Sequence, residues 1–137
     1  MVSFMPNNIV QVELQNLMNG WLGIAAYTAA TGPMKLSLHT SASSSTSAGT
    51  EVSGGAGPYA KQQITFSAPS AATPTVSSNT GAVTFAGMPA CTVTDIGIWD
   101  NAGTIRRAFG ALTGSKVVNA GDTLSFAIGA VTASLGV

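Results

Sequence analysis

Met34-Lys-Leu-Ser-Leu-His-Thr40 decides the fold class. Met34, Leu36 and Leu38 alternate with Lys35, Ser37 and His39, a period of two that puts successive side chains on opposite faces of a strand. Working outward toward the C-terminus, Tyr59–Phe66, Val76–Phe85, Thr92–Trp99, Ile105–Leu112 and Asp122–Leu135 are further candidate strands. Turn signals separate them: Gly87-Met-Pro89, Asp100-Asn-Ala-Gly103, Thr113-Gly-Ser115 and Asn119-Ala-Gly-Asp122. Ser67–Thr75 holds Pro69 and Pro74 and reads as a connection, because proline has no donor for a sheet ladder. Gly129 divides the last segment into two short strands or one bulged strand. Short strands at near-regular spacing predict a mainly β protein, an antiparallel sandwich or barrel-like domain. Strand parity predicts a core of Leu36, Leu38, Ile64, Phe66, Val83, Phe85, Ile96, Ile98, Phe109, Leu124 and Phe126.

Toward the N-terminus the period changes. Ile9, Val12, Leu14, Leu17 and Met18 offer spacings of three and four, so residues 7–20 are expected to be one helix lying against the sheet. Asn7 or Asn8 would cap it and Gly20 would end it, with Trp21, Leu22 and Ile24 as an apolar anchor. Residues 1–6 read as an arm carrying Val2, Phe4 and Met5, and residues 41–57, rich in Ser, Thr, Gly and Ala, as a flexible loop. At 137 residues, the chain is expected to be a single domain, 1–137, with the sandwich over 34–137.

Charged residues are 7 % of the chain, against roughly 25 % in an average soluble domain. Five basic and five acidic residues cancel, so no net field steers the chain to nucleic acid or an acidic membrane surface, and neither is expected as a partner. No stretch approaches the roughly 20 apolar residues of a membrane span. The N-terminus lacks the basic region of a signal peptide, and Cys91 is alone; the expectation is an unprocessed chain made in the cytosol. A near-neutral surface of small residues is poorly protected against association, which suits a protein that works as an assembly.

Candidate chemistry is sparse. His39, the only histidine, would have to be the base of any Ser-His-Asp triad, and no G-x-S-x-G elbow accompanies it; it reads as a strand-end side chain bonded to backbone. His39 and Cys91 form no zinc-ligand cluster, and Asp95, Asp100 and Asp122 lack a calcium-loop rhythm, reading instead as turn residues. Gly54-Gly-Ala-Gly57 lacks the Gly-Lys-Ser/Thr of a phosphate cradle. Arg106 and Arg107 point to opposite strand faces, so one is expected to pair with Asp95 or Asp100. Tyr59, Trp99 and Phe109 would make a sugar-stacking platform only if they left the core. No catalytic residue, metal or cofactor is expected.

Several segments in order carry a resemblance: Leu36-Ser-Leu-His-Thr40, Gly49-Thr-Glu-Val-Ser-Gly-Gly55, Tyr59-Ala-Lys-Gln62, Ile64-Thr-Phe66, Asn79–Phe85, Ile98-Trp-Asp100, Phe109-Gly-Ala-Leu-Thr113 and Val118-Asn-Ala-Gly-Asp-Thr-Leu124. The chain resembles a family of small tailed-phage virion structural proteins, variously tail fibre, minor tail or head decoration proteins. Lys61 stands where that family has arginine. The resemblance implies a virion location, reached from the host cytoplasm, and no enzymatic activity. A fibre shaft needs repeats or heptads that this chain lacks, so the first expectation is a capsid decoration (cement) protein, a homotrimer on the major capsid protein at the capsid exterior. The alternatives are a small tail, tail-fibre or baseplate component, or a host- or sugar-binding module. The candidate assembly contacts are Val2, Phe4, Met5, Trp21, Glu51, Tyr59 and Trp99.

Overall fold

A computed structural model of the chain describes residues 2–4 and 8–135. Its elements run β1 (Val2–Phe4), α1 (Gln11–Trp21), β2 (Met34–His39), β3 (Gln62–Ile64), β4 (Thr75–Ser78), β5 (Val83–Phe85), β6 (Cys91–Trp99), β7 (Arg106–Val118), β8 (Leu124–Phe126) and β9 (Val131–Leu135). The period-two stretch is indeed a strand, β2, inside an antiparallel sheet ordered β3-β2-β6-β7. Leu36 lies opposite Ile98, Leu38 opposite Ile96 and Met34 opposite Ile64, so one face of this sheet is continuously apolar. The β5-β8 pair and Val131 of β9 close over that face. Phe85 stacks on Tyr59 with ring centroids 5.9 Å apart and meets Phe126 edge-on at 6.4 Å, both within the range in which aromatic pairs attract. The mainly β, sandwich-like fold is therefore as expected. Nine of the eleven expected core residues are buried, while Phe66 and Leu124 are half-buried against the cluster.

A third sheet, ordered β1-β9-β4, departs from the antiparallel scheme, because β1 runs parallel to β9. Where a free arm was expected over 1–6, the backbone of Val2–Phe4 fills the open edge of β9 and pairs with Val131–Ala133. An unpaired strand edge offers a row of donors and acceptors, which is the reason a short segment settles there. Met5 lies outside the described residues.

Three further expectations need correction. Thr113-Gly-Ser115 is not a turn but part of the 13-residue β7. Val93 pairs with Lys116 while Asp95 pairs with Ala111, so the intervening β7 residues are absorbed as a bulge. The strand expected over Tyr59–Phe66 shrinks to Gln62–Ile64, since Tyr59 leaves the ladder and accepts the Leu38 N–H through its hydroxyl at 2.8 Å. The run Val76–Phe85 breaks at Asn79, which is buried with its amide fully used. Its Nδ2 donates to the Gly81 and Ala127 carbonyls at 2.7 and 2.9 Å, and its Oδ1 accepts the Val131 N–H at 2.8 Å.

Residues 41–50, within the serine-rich loop, bond one another and the sheet. Ser41 Oγ accepts the Thr50 N–H, Ser43 Oγ donates to the Ala48 carbonyl, and the Ser43 N–H reaches Asp95 Oδ2 at 3.0 Å. Gly49 has φ +70°, and a Cβ there would sit 2.7 Å from the Ser41 carbonyl oxygen, so this corner needs glycine. Phe85→Ala is expected to lower the unfolding free energy by about 3–5 kcal/mol in a urea titration, and a loss below about 1 kcal/mol would place that ring outside the core.

Candidate functional site

The helix begins without a side-chain cap. Val10 occupies the N-cap position, its N–H donates to the Arg107 carbonyl, and the Gln11 N–H donates to the Ser45 carbonyl, each at 3.1 Å. Amides that a capping asparagine would have satisfied are thus taken by β7 and the serine-rich loop. Gly20 does not end the helix. It lies inside it, where a Cβ would meet Tyr27 Cβ at 3.0 Å, and the left-handed residue is Gly23 with φ +68°.

What holds α1 to the body is polar. A bulge in the β6–β7 ladder, where Ile98 pairs with Ala108 but Trp99 pairs with Arg106, leaves Arg107 out of register. Its Nη1 forms an ion pair with Glu13 Oε2, and the Tyr27 hydroxyl donates to Glu13 Oε1 at 2.7 Å. Only 9 % of the Glu13 side chain and 13 % of the Arg107 side chain remain exposed. Burial, and next the Glu13 carboxylate, raise the Tyr27 hydroxyl above its ordinary range, so it stays a donor. Asn16 adds a reciprocal pair with Thr28, its Nδ2 donating to the carbonyl and its Oδ1 accepting the N–H. The expectation that one of the paired arginines meets Asp95 or Asp100 is therefore corrected. Asp95 accepts from Ser43, and Asp100 closes its own turn by accepting the Thr104 and Ile105 N–H groups.

The apolar side of α1 faces the other way. Glu13 is the buried residue of the helix, whereas Val12, Leu14, Met18, Trp21, Leu22 and Ile24 are exposed, Trp21 by 75 %. Leu14, Met18 and Trp21 stand at i, i+4 and i+7, on one side of the helix. This inverts the expected packing, and the reason is Glu13: an ion pair available at β7 turns its side of the helix inward. Leu17 and Ile9 are half-buried and line a cavity of about 320 Å³ with Tyr27, Ala108, Ala133 and Leu135.

A second polar group lies on the other face of the main sheet. Ser37 and His39 are fully buried, with Ser37 Oγ 2.7 Å from His39 Nε2. Trp99 Nε1 donates to the same hydroxyl at 2.7 Å, and His39 Nδ1 has no partner. His39 was expected to bond backbone; it bonds a side chain because Ser37 shares its face of β2. The pair does not form a triad: Ser37 Oγ is closed off, and the nearby Asp95 is used by the loop. Gly97 makes room for the layer, since a Cβ there would lie 2.7 Å from Ser37 Oγ and 2.9 Å from Trp99 Nε1. Lys61 pairs with Glu51 at 2.9 Å, and its ammonium sits 4.5 Å from the Trp99 ring centroid. Arg106 Nη2 donates to the Ser44 carbonyl, and its guanidinium lies over Phe109.

The seven candidate contacts therefore separate. Trp21 is open to solvent. Tyr59 is half-buried against the core with its hydroxyl on β2, Glu51 is held by Lys61, and Trp99 is half-buried over Ser37. Val2 and Phe4 contribute the β1 backbone, and Met5 is outside the described residues. Missed at the sequence level were Leu14 and Met18 as exposed residues and the Glu13–Arg107 anchor. The available signal was that Glu13 is the one charge in residues 1–34. Among the described residues no three His, Cys, Asp or Glu side chains gather as a metal site, and no helix is long and apolar enough to cross a membrane.

Residues 9–134 match the family model described as podophage GP4 fiber I protein gp80. No curated protein matches the chain significantly.

Burial holds the His39 imidazole below its ordinary value of 6.5. The unfolded chain therefore binds more protons than the folded one as pH falls below about 6.5, and stability drops with it. Wild-type protein is expected to unfold at lower urea concentration at pH 5.5 than at pH 7.5, and His39→Gln to remove most of that difference. An equal pH dependence in both would show that His39 is not its source.

Proposed function

The chain belongs to the podophage GP4 fiber I protein gp80 family, a family of phage virion structural proteins, and on that premise we propose that it works as a non-catalytic, self-associated unit of a virion fibre. The observation that carries the reading is the helix α1, held to the body by Glu13 while Leu14, Met18 and Trp21 face outward. Apolar surface presented in that way serves contact with protein rather than chemistry on a small molecule. The chain has no heptads or repeats with which to make a shaft. Its place is accordingly a compact unit of the fibre, a homotrimer joined to a larger virion protein.

Decoration of the head by the same trimer on the major capsid protein makes the opposite prediction about stoichiometry. Mass-spectrometric quantification of purified virions, scaled to the major capsid protein, is expected to give at most a few dozen copies per particle. Hundreds of copies would place the protein on the capsid exterior and overturn the fibre reading.

A further inference from the structure

We infer that the outward face of α1, centred on Leu14, Met18 and Trp21, is the surface on which a second copy of this chain docks. The inference rests on the reading of the protein as a multi-copy building block and adds which surface joins the copies. Leu14, Met18, Trp21, Leu22 and Ile24 follow one another along and just beyond the helix, and each leaves between 39 % and 75 % of its surface open. An aromatic side chain such as Trp21 alone carries roughly 150–250 Å², and with its aliphatic neighbours the stretch presents on the order of several hundred Å² of apolar surface. That is the order of the about 800 Å² each partner gives to a standard interface.

Charge selects the occupant. Glu13 is the one charge in residues 1–34, and it is buried and paired with Arg107. The face therefore offers nothing for a charged partner to pair with, and a basic or acidic surface laid on it would be desolvated without compensation. A second copy brings an equally neutral face, with no like-charge repulsion. Around the stripe stand Gln11, Gln15 and Asn19. Each amide carries both a donor and an acceptor, so the same group on a symmetry-related copy is a suitable hydrogen-bond partner. Such a neutral patch can meet its neighbours around a three-fold axis without leaving a charge unpaired. The helix also meets its partner already oriented, because Glu13 holds it to Arg107 of the sheet and Tyr27 and Thr28 brace it from the segment that follows.

Sedimentation of the full chain at micromolar concentration tests the assignment. Wild-type protein is expected to be multimeric. Met18→Glu and the uncharged Trp21→Gln are each expected to weaken association by at least about tenfold, with the circular dichroism spectrum nearly unchanged, since both side chains are exposed. Val117→Glu, at an equally open apolar residue on β7, is expected to assemble like wild type. A wild-type chain that stays monomeric, or Met18→Glu and Trp21→Gln chains that both assemble normally, would overturn the assignment. A head location by copy count would overturn the fibre reading yet leave this contact intact, so the two failures are distinguishable.

Discussion

The ion pair between Glu13 and Arg107 is the constraint on which the disposition of this molecule depends. Two charges removed from water are held at a net cost unless geometry and extra hydrogen bonds compensate them. Here the Tyr27 hydroxyl donates to the second carboxylate oxygen while Arg107 Nε is left without a partner, and the Val10 N–H donates to the Arg107 backbone carbonyl beside the pair. These bonds are satisfied together in one orientation of α1, which is how a short helix without a side-chain cap acquires a fixed face. The causal chain starts in the sheet. A bulge opposite Ile98 and Trp99 frees Arg107, Arg107 turns Glu13 inward, and Glu13 inward leaves Leu14, Met18 and Trp21 outward. The outward face of α1 thus follows from a register shift in the sheet that α1 packs on.

The main sheet is buried on both faces, but by different means. One face carries Leu36, Leu38, Ile96 and Ile98 into an ordinary apolar core around Phe85. The other carries Ser37, His39 and Trp99, covered by Lys61, Glu51 and the loop that follows β2. Such a layer specifies geometry more than it adds stability, because its polar atoms bond only in one arrangement and His39 Nδ1 stays unpaired even there. Gly97 shows how tight the fit is: even a methyl group there meets Ser37 and Trp99. A serine beside a histidine is, in this setting, part of how the loop is seated on the sheet.

The β framework was legible because period-two alternation reports burial directly, as at Leu36 and Leu38, and because Gly129 does divide the last two strands. What stayed hidden were features set by pairing rather than by pattern. The β7 bulges let Thr113-Gly-Ser115 remain in a strand, and nothing local to those residues announces it. The serines of residues 41–57 read as a flexible composition, yet their hydroxyls bond the neighbouring backbone, for which serine is equally suited. The orientation of α1 was misread for a related reason. Apolar spacing locates a helix, but the rule that its apolar side turns inward fails when a buried ion pair competes for the inner face. The exposed surface that follows was partly visible, in Trp21, and partly not, in Leu14 and Met18.

The chain combines a buried core with an exposed apolar stretch along α1. Low charge suits that combination, since the same small neutral residues that protect a free domain poorly leave little to desolvate when copies meet. Glu13 and Arg107 hold the helix in place. Amide hydrogen exchange along Gln11–Trp21 in wild type and in Glu13→Gln tests this most directly. The account predicts that the substitution speeds exchange throughout α1 while β2 and β6 keep their protection. Unchanged protection of the helix in Glu13→Gln would contradict it.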